Sequence, residues 1–140
     1  MNFQLVAPSG TKYDGEAYEV IVPTQSGTIS IFEDHMPLVS AAKAGVLSVR
    51  KKASDSDSSL EDFAISGGIV EVDGKNVRFV ADEITAGSDI TEQEASAALA
   101  RAEALVKGAD SQRELHEAHR ALAHSTAQLH VARLKKRHHQ

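Results

Sequence analysis

Glu33-Asp34-His35 is the one local grouping of carboxylates with an imidazole in the first half of the chain. Such a pair can do general-base chemistry only where a nucleophile, a pocket and a stabiliser for developing charge lie nearby. No nucleophile in a triad-like setting accompanies it, and the segment is short, polar and closes at Pro37. It reads as a turn that presents a contact surface. Seven histidines raise the question of metal binding. His116-Glu117-Ala118-His119 approaches a zincin motif, but that motif spaces its histidines four apart, with two residues after the glutamate. His116 and His119 can share one helical face and clip an ion weakly, yet no third ligand stands beside them. They read as exposed helix histidines, and His138 and His139 lie near a terminus expected to fray. Gly68 and Gly74-Lys75 stand one step too far apart for a phosphate loop, and Asn76 follows where serine or threonine is needed. Gly74-Lys75 is a hairpin turn. Catalytic residues, metal ligands and cofactor sites are therefore not assigned.

The net charge of −5 hides an asymmetry. Residues 1–84 carry 7 Lys/Arg against 13 Asp/Glu, whereas residues 111–140 carry 6 against 2. An acidic body with a basic end implies either two surfaces for two kinds of partner or a helix end that favours cations near its C-terminus. Arg133, Lys135, Lys136 and Arg137 have no aromatic platform beside them, which argues against nucleic acid. The chain has no cysteine and no tryptophan, so disulfides are excluded. No run of about 18 apolar residues exists to span a membrane. The start, Met1-Asn2-Phe3-Gln4-Leu5-Val6, lacks the features of a signal or transit peptide. A cytoplasmic protein is expected, with any membrane attachment supplied by a partner.

Two kinds of element must position these residues. Up to Ala81 the apolar period is two: Tyr18, Val20 and Val22 alternate with Glu19 and Ile21, and similar runs surround Ile29, Val46, Phe63, Ile69 and Val77. Many short runs rich in β-branched residues predict an antiparallel β-sandwich or barrel. Asp73-Gly74-Lys75-Asn76 is a tight turn. Lys51 to Asp62, rich in Ser and Asp, is expected to be a mobile hairpin loop.

After Ala81 the period becomes three to four. Ala95, Ala98, Leu99, Ala102, Leu105 and Val106 form one helical face, with Thr91-x-x-Glu94 as a capping box and Gly108 as a left-handed C-terminal residue. Ser111-x-x-Glu114 repeats the cap, and Leu115, Ala118, Leu122, Ser125, Leu129 and Ala132 follow. This predicts an α+β chain: a β-sandwich over residues 1–84 and a two-helix antiparallel hairpin over residues 85–140. The helical faces are mostly alanine, so the hairpin is expected to be held weakly.

The order Gly27-Thr28-Ile29-Ser30-Ile31-Phe32, His35-Met36-Pro37-Leu38, Ala44-Gly45-Val46-Leu47 and Ser66-Gly67-Gly68-Ile69-Val70-Glu71-Val72 closely resembles the epsilon subunit of bacterial F-type ATP synthases. The resemblance extends from about Phe3 to Lys136. It implies a non-catalytic subunit, peripheral at the cytoplasmic face of the cell membrane, whose sandwich links the gamma subunit to the c-ring in proton-driven rotation. It also implies that Thr28, Glu33, Asp34 and His35 contact the c-ring. The second helix would act as a brake on ATP hydrolysis, its Arg113, Arg120, Arg133, Lys135, Lys136 and Arg137 facing an acidic segment of the beta subunit. Ala127 and Gln128 stand where family members often carry further basic residues. Some members bind ATP through an [Ile/Leu]-Asp-x-x-Arg-Ala motif; here the stretch is Ile90-Thr91-Glu92-Gln93-Glu94-Ala95, with threonine for the aspartate and glutamate for the arginine. A carboxylate at that place repels a phosphate. The alternatives are a structural adaptor of the same shape in another assembly, and a small metal-dependent enzyme built on the histidines.

Overall fold

A computed structural model describes residues 1–138. Eight strands come first: β1 (Asn2–Ala7), β2 (Gly10–Glu16), β3 (Glu19–Thr24), β4 (Gly27–Phe32), β5 (His35–Arg50), β6 (Glu61–Gly74), β7 (Asn76–Val80) and β8 (Ile84–Ala86). They form one hydrogen-bonded sheet in the order β2-β1-β7-β6-β5-β3-β4, with β8 on β6. Every pairing is antiparallel except β1 with β7, which is parallel. The β-sandwich followed by a helical hairpin is the architecture expected.

The sheet becomes a sandwich because β5 and β6 each pass through both layers. In β6 the inward residues are Phe63 and Ile65 before the corner and Val70 and Val72 after it, so the inward parity flips at Gly67-Gly68. In β5 it flips between Ala42 and Leu47. Pairing continues in step on both sides, from Ala42 with Gly68 to Ala44 with Ser66, so the two strands bend together. The sequence pattern divides each of these strands into separate runs, because a parity flip at a glycine pair looks like an end. Phe3, Leu5, Ile31, Leu47, Phe63, Ile65, Val70 and Phe79 are fully buried between the layers. Each contributes roughly 1.5–3 kcal/mol of burial.

Tyr18, grouped with Val20 and Val22 by alternation, lies before β3 and is exposed, stacked edge-on against Phe32. Glu19 is buried instead, because Arg50 Nε donates to its carboxylate at 2.8 Å. The same guanidinium donates to the Asp55 carbonyl at 2.6 Å and the Asp57 carboxylate at 2.8 Å. The Lys51–Asp62 stretch, expected to be a mobile loop, is thus pinned, and it contains a 3-10 turn at Asp57–Ser59.

Helices α1 (Glu92–Lys107) and α2 (Gln112–His138) follow a 3-10 turn at Gly87–Asp89. Both expected N-caps are present: Thr91 Oγ1 accepts from the Glu94 N–H at 3.2 Å, and Ser111 Oγ accepts from the Glu114 N–H at 3.1 Å. The Glu114 carboxylate also accepts from the Asp110 N–H at 2.9 Å. Gly108 is not left-handed; it has φ −93°, and its N–H closes on the Ala104 carbonyl. With the Asp110 N–H already held by Glu114, the short connection needs no left-handed residue. Leu105 is exposed rather than part of the buried α1 face, because α1 packs mainly on α2 and buries only a narrow row around Ala95 and Ala102.

Candidate interaction surfaces

Glu33 and Asp34 form the whole connection between β4 and β5, and Asp34 takes φ +63°, a conformation that aspartate tolerates better than most residues. Its N–H donates to the Gly74 carbonyl at 3.2 Å, which brings the Gly74-Lys75 turn alongside. Gly74, with φ +55°, takes the first place in that two-residue hairpin. His35 begins β5, and its Nδ1 donates to the Met36 carbonyl at 2.8 Å. The imidazole is engaged by backbone rather than by either acid, so the trio is a polar patch and not a general-base site. Thr28 is elsewhere. It sits opposite Pro23 beside the turn that Thr24 Oγ1 closes onto the Gly27 carbonyl. Five strand steps, about 16 Å, separate it from Glu33. The four residues named together therefore fall at opposite ends of the sandwich.

A second surface lies on the outer face of the layer made by β1, β7 and the adjoining halves of β6 and β5. Ala41, Ile69 and Val80 are directly opposite one another across three strands, and Val39 stands beside them on the same face. Val39 is 72% exposed, Ile69 50% and Val80 41%. The Glu71–Arg78 cross-strand pair borders this row. A contiguous apolar row rimmed by charge on a sheet marks a protein contact. Alternation signalled these residues as strand, but not which face lacks a cover.

The outer face of the other layer is covered by α2. Ala64, pointing away from the core, packs with Ala127, Leu129, Val131 and Ala132 of α2 and with Ile90 and Ala95. Val131 is fully buried, its Cγ1 3.2 Å from where a side chain on Gly87 would begin. Polar contacts complete the dock: Gln128 Nε2 donates to Thr85 Oγ1 at 2.9 Å, and His124 Nε2 lies 3.4 Å from Glu83 Oε2. This second buried face, His124–Ala127–Val131, escaped the helical pattern because His124 is polar and Ala127 small, which leaves Val131 as its one larger apolar member. Ala127 is buried on the inner side of the dock, and Gln128 beside it is half-buried and engaged with Thr85.

The six basic residues of α2 lie along its outside, and the fold gives several of them acids. Arg120 Nη2 is 3.2 Å from Asp82 Oδ2, and Arg113 Nε is 3.5 Å from Glu117 Oε1. Arg133 Nε and Lys136 Nζ are 3.6 and 3.4 Å from the two carboxylate oxygens of Glu92. Lys135 lines a cavity of about 220 Å³ with Glu61, Asp62, Gly87 and Val131, and Arg137 is exposed. The acids Asp82, Glu83 and Glu92 were not singled out by sequence; the opposite charges of body and tail were the only signal. At the altered nucleotide motif, Thr91 is consumed as the cap of α1.

Among the described residues no group of three or more histidine, cysteine or carboxylate side chains could hold a metal, and His116 and His119 are exposed. His139 and the side chain of His138 lie outside what the structure describes. No described helix is long and apolar enough to cross a membrane.

Two family models match in tandem: "ATP synthase, Delta/Epsilon chain, beta-sandwich domain" over residues 1–87 and "ATP synthase, Delta/Epsilon chain, long alpha-helix domain" over residues 88–133. The chain is 34% identical over 132 residues to the ATP synthase epsilon chain of Gloeobacter violaceus, covering 94% of this chain and 96% of the relative. It is 32% identical over 139 residues to that of Nitrosomonas eutropha, covering 99% and 96%. Among solved structures, a chain of the Euglena gracilis mitochondrial ATP synthase superposes with a TM-score of 0.73 at 18% identity, over 89% of this chain and 76% of that one. A chain of the Tetrahymena thermophila mitochondrial ATP synthase central stalk and c-ring gives 0.59 at 16%, over 94% and 96%. These two likenesses concern the fold.

Proposed function

We propose a function from one premise: the chain belongs to the ATP synthase delta/epsilon family, as an epsilon chain. It is a non-catalytic subunit of the central stalk, at the cytoplasmic face of the membrane, and it joins the gamma subunit to the c-ring. Protons drive the ring, and torque passes through the sandwich to gamma. The observation that carries this reading is the division of labour between two outer faces. One carries the uncovered apolar row Val39, Ile69 and Val80, suited to a protein partner, and the other carries the hairpin. Gamma takes the apolar face, and one end of the sandwich sits on the polar loops of the ring.

Thr28 marks one candidate end, and Glu33, Asp34 and His35 mark the other. The native chain has no cysteine, so Thr28→Cys and Asp34→Cys can each be oxidised against a cysteine in the ring's polar loop. Disulfide formation by one variant assigns the ring to that end, and formation by neither in a coupled enzyme overturns the ring contact.

The hairpin is a brake. Released from the sheet, α2 presents Arg113, Arg120, Arg133, Lys135, Lys136 and Arg137 to the acidic segment of the beta subunit. Deleting residues 111–140 is expected to raise ATP hydrolysis by the complete enzyme while leaving assembly intact; unchanged hydrolysis removes the brake. Nucleotide is not part of the device, since Glu94 stands where a phosphate partner would be needed. Calorimetry on the isolated chain is expected to show no saturable ATP binding at millimolar concentration.

A further inference from the structure

We propose that α2 is held in its docked position by an internal counter-charge clamp in which Glu92 of α1 and Asp82 before β8 occupy Arg133, Lys136 and Arg120. The inference rests on the braking role proposed for α2, because it makes docking and braking compete for the same side chains. Both oxygens of the Glu92 carboxylate are used, one by Arg133 and one by Lys136. These two cations are three residues apart, so they rise from the same side of α2. Arg120 meets Asp82, thirteen residues and about 20 Å further back along the helix. Glu83, facing His124, lies next to Asp82, and Glu117 lines the same cavity as Arg120. Docked α2 thus meets acids at both ends, Glu92 of α1 at one and Asp82 and Glu83 just before β8 at the other. The cations are acidic-partner residues already provided with acids.

Pairs this exposed are individually small, shifting a docked-to-released ratio roughly two- to fivefold each. That is enough to matter here. Beneath the clamp the two helices and the sheet meet mainly through the methyl groups of Ala64, Ala95, Ala127 and Ala132. A weak dock and a weak clamp make a switch, whereas a leucine-rich dock would be indifferent to three surface pairs. A partner acid need only outbid a half-exposed glutamate to draw α2 away.

The test uses the full chain with Ser66→Cys and Ala121→Cys, which line one cavity of about 250 Å³ between sheet and α2. Disulfide formation reads the docked population. Adding Glu92→Gln is expected to slow it about fivefold or more at low salt. At about 1 M salt, where charges are screened beyond roughly 3 Å, the parent is expected to fall towards the variant. Glu94→Gln controls for the loss of a first-turn acid, since Glu94 is in the same turn and pairs with neither cation; it is expected to crosslink like the parent. Equal rates for Glu92→Gln and the parent overturn the clamp, as does an equal loss in Glu94→Gln. In the complete enzyme, Glu92→Gln is expected to lower ATP hydrolysis. Slower crosslinking with hydrolysis unaltered keeps the clamp and removes the brake. Altered hydrolysis with crosslinking unaltered keeps the brake and removes the clamp.

Discussion

At Gly68 the backbone passes so close to β7 that a Cβ would stand 2.2 Å from the Val80 carbonyl oxygen and 2.8 Å from Phe79 Cε1, with φ +153°. Neither the backbone carbonyl nor a fully buried ring can retreat cheaply. Gly68→Ala is expected to cost about 3 kcal/mol, read as a lowered midpoint in urea with an unchanged slope. A second residue-scale expectation concerns alkaline pH. Burial raises the Tyr13 phenol above its ordinary value against a smaller lowering by Lys51, and the hydrogen bond and charge of Glu61 raise the Lys51 ammonium. A raised folded value means that the folded chain holds the proton more tightly. Both contributions are therefore fully present below the unfolded values and are lost as pH rises through the folded ones, from about pH 10 upward. Stability should stay level near neutrality and fall above about pH 10, and Tyr13→Phe should remove part of that fall. Denaturation midpoints across the alkaline range measure it.

Among the elements, α2 is the one whose position the sequence conveyed least. Leu115, Ala118, Leu122, Ser125, Leu129 and Ala132 announce a face for α1, whereas the sheet-facing row of His124, Ala127, Gln128 and Val131 has a single large apolar member and no periodic signature. A helix between a partner helix and a sheet needs two faces, and a pattern search finds the greasier one. The caps at Thr91 and Ser111 were legible because a hydroxyl three residues before a glutamate has a mechanical reason to be there. The corner strands were not, since their parity flips at glycines, and neither were Asp82 and Glu92, whose partners lie 38 and 41 or more residues away. Val131→Asp would place a carboxylate at the fully buried centre of the dock, at a cost of about 3 kcal/mol or more. We expect it to detach the hairpin and leave the sandwich folded. Small-angle scattering should show a larger radius of gyration, while the melting transition of the strands is kept.

For the whole molecule, the core enclosed by the two layers draws its buried residues from the strands and from Met1, Ala17 and Ala81 beside them, and none from the helices. β8 runs from Ile84 to Ala86, across the boundary expected at residue 84, and Ala86 packs against that core. A fragment of residues 1–87 is therefore expected to fold cooperatively and to restore coupling to an enzyme lacking this subunit. A fragment that stays unfolded would show that the helices complete the core after all. The continuity of β5 and β6 bears on how such a body meets force. Each strand runs without a break from the layer with the bare apolar face, over the corner, into the layer under the helices. Two layers joined only by side chains would slide over one another under a twisting load, as greased plates do. Here a twist applied to one layer would be carried into the other along two covalent backbones laced by hydrogen bonds, so the two layers are expected to move as a single stiff piece and to lose little of any angle given to them.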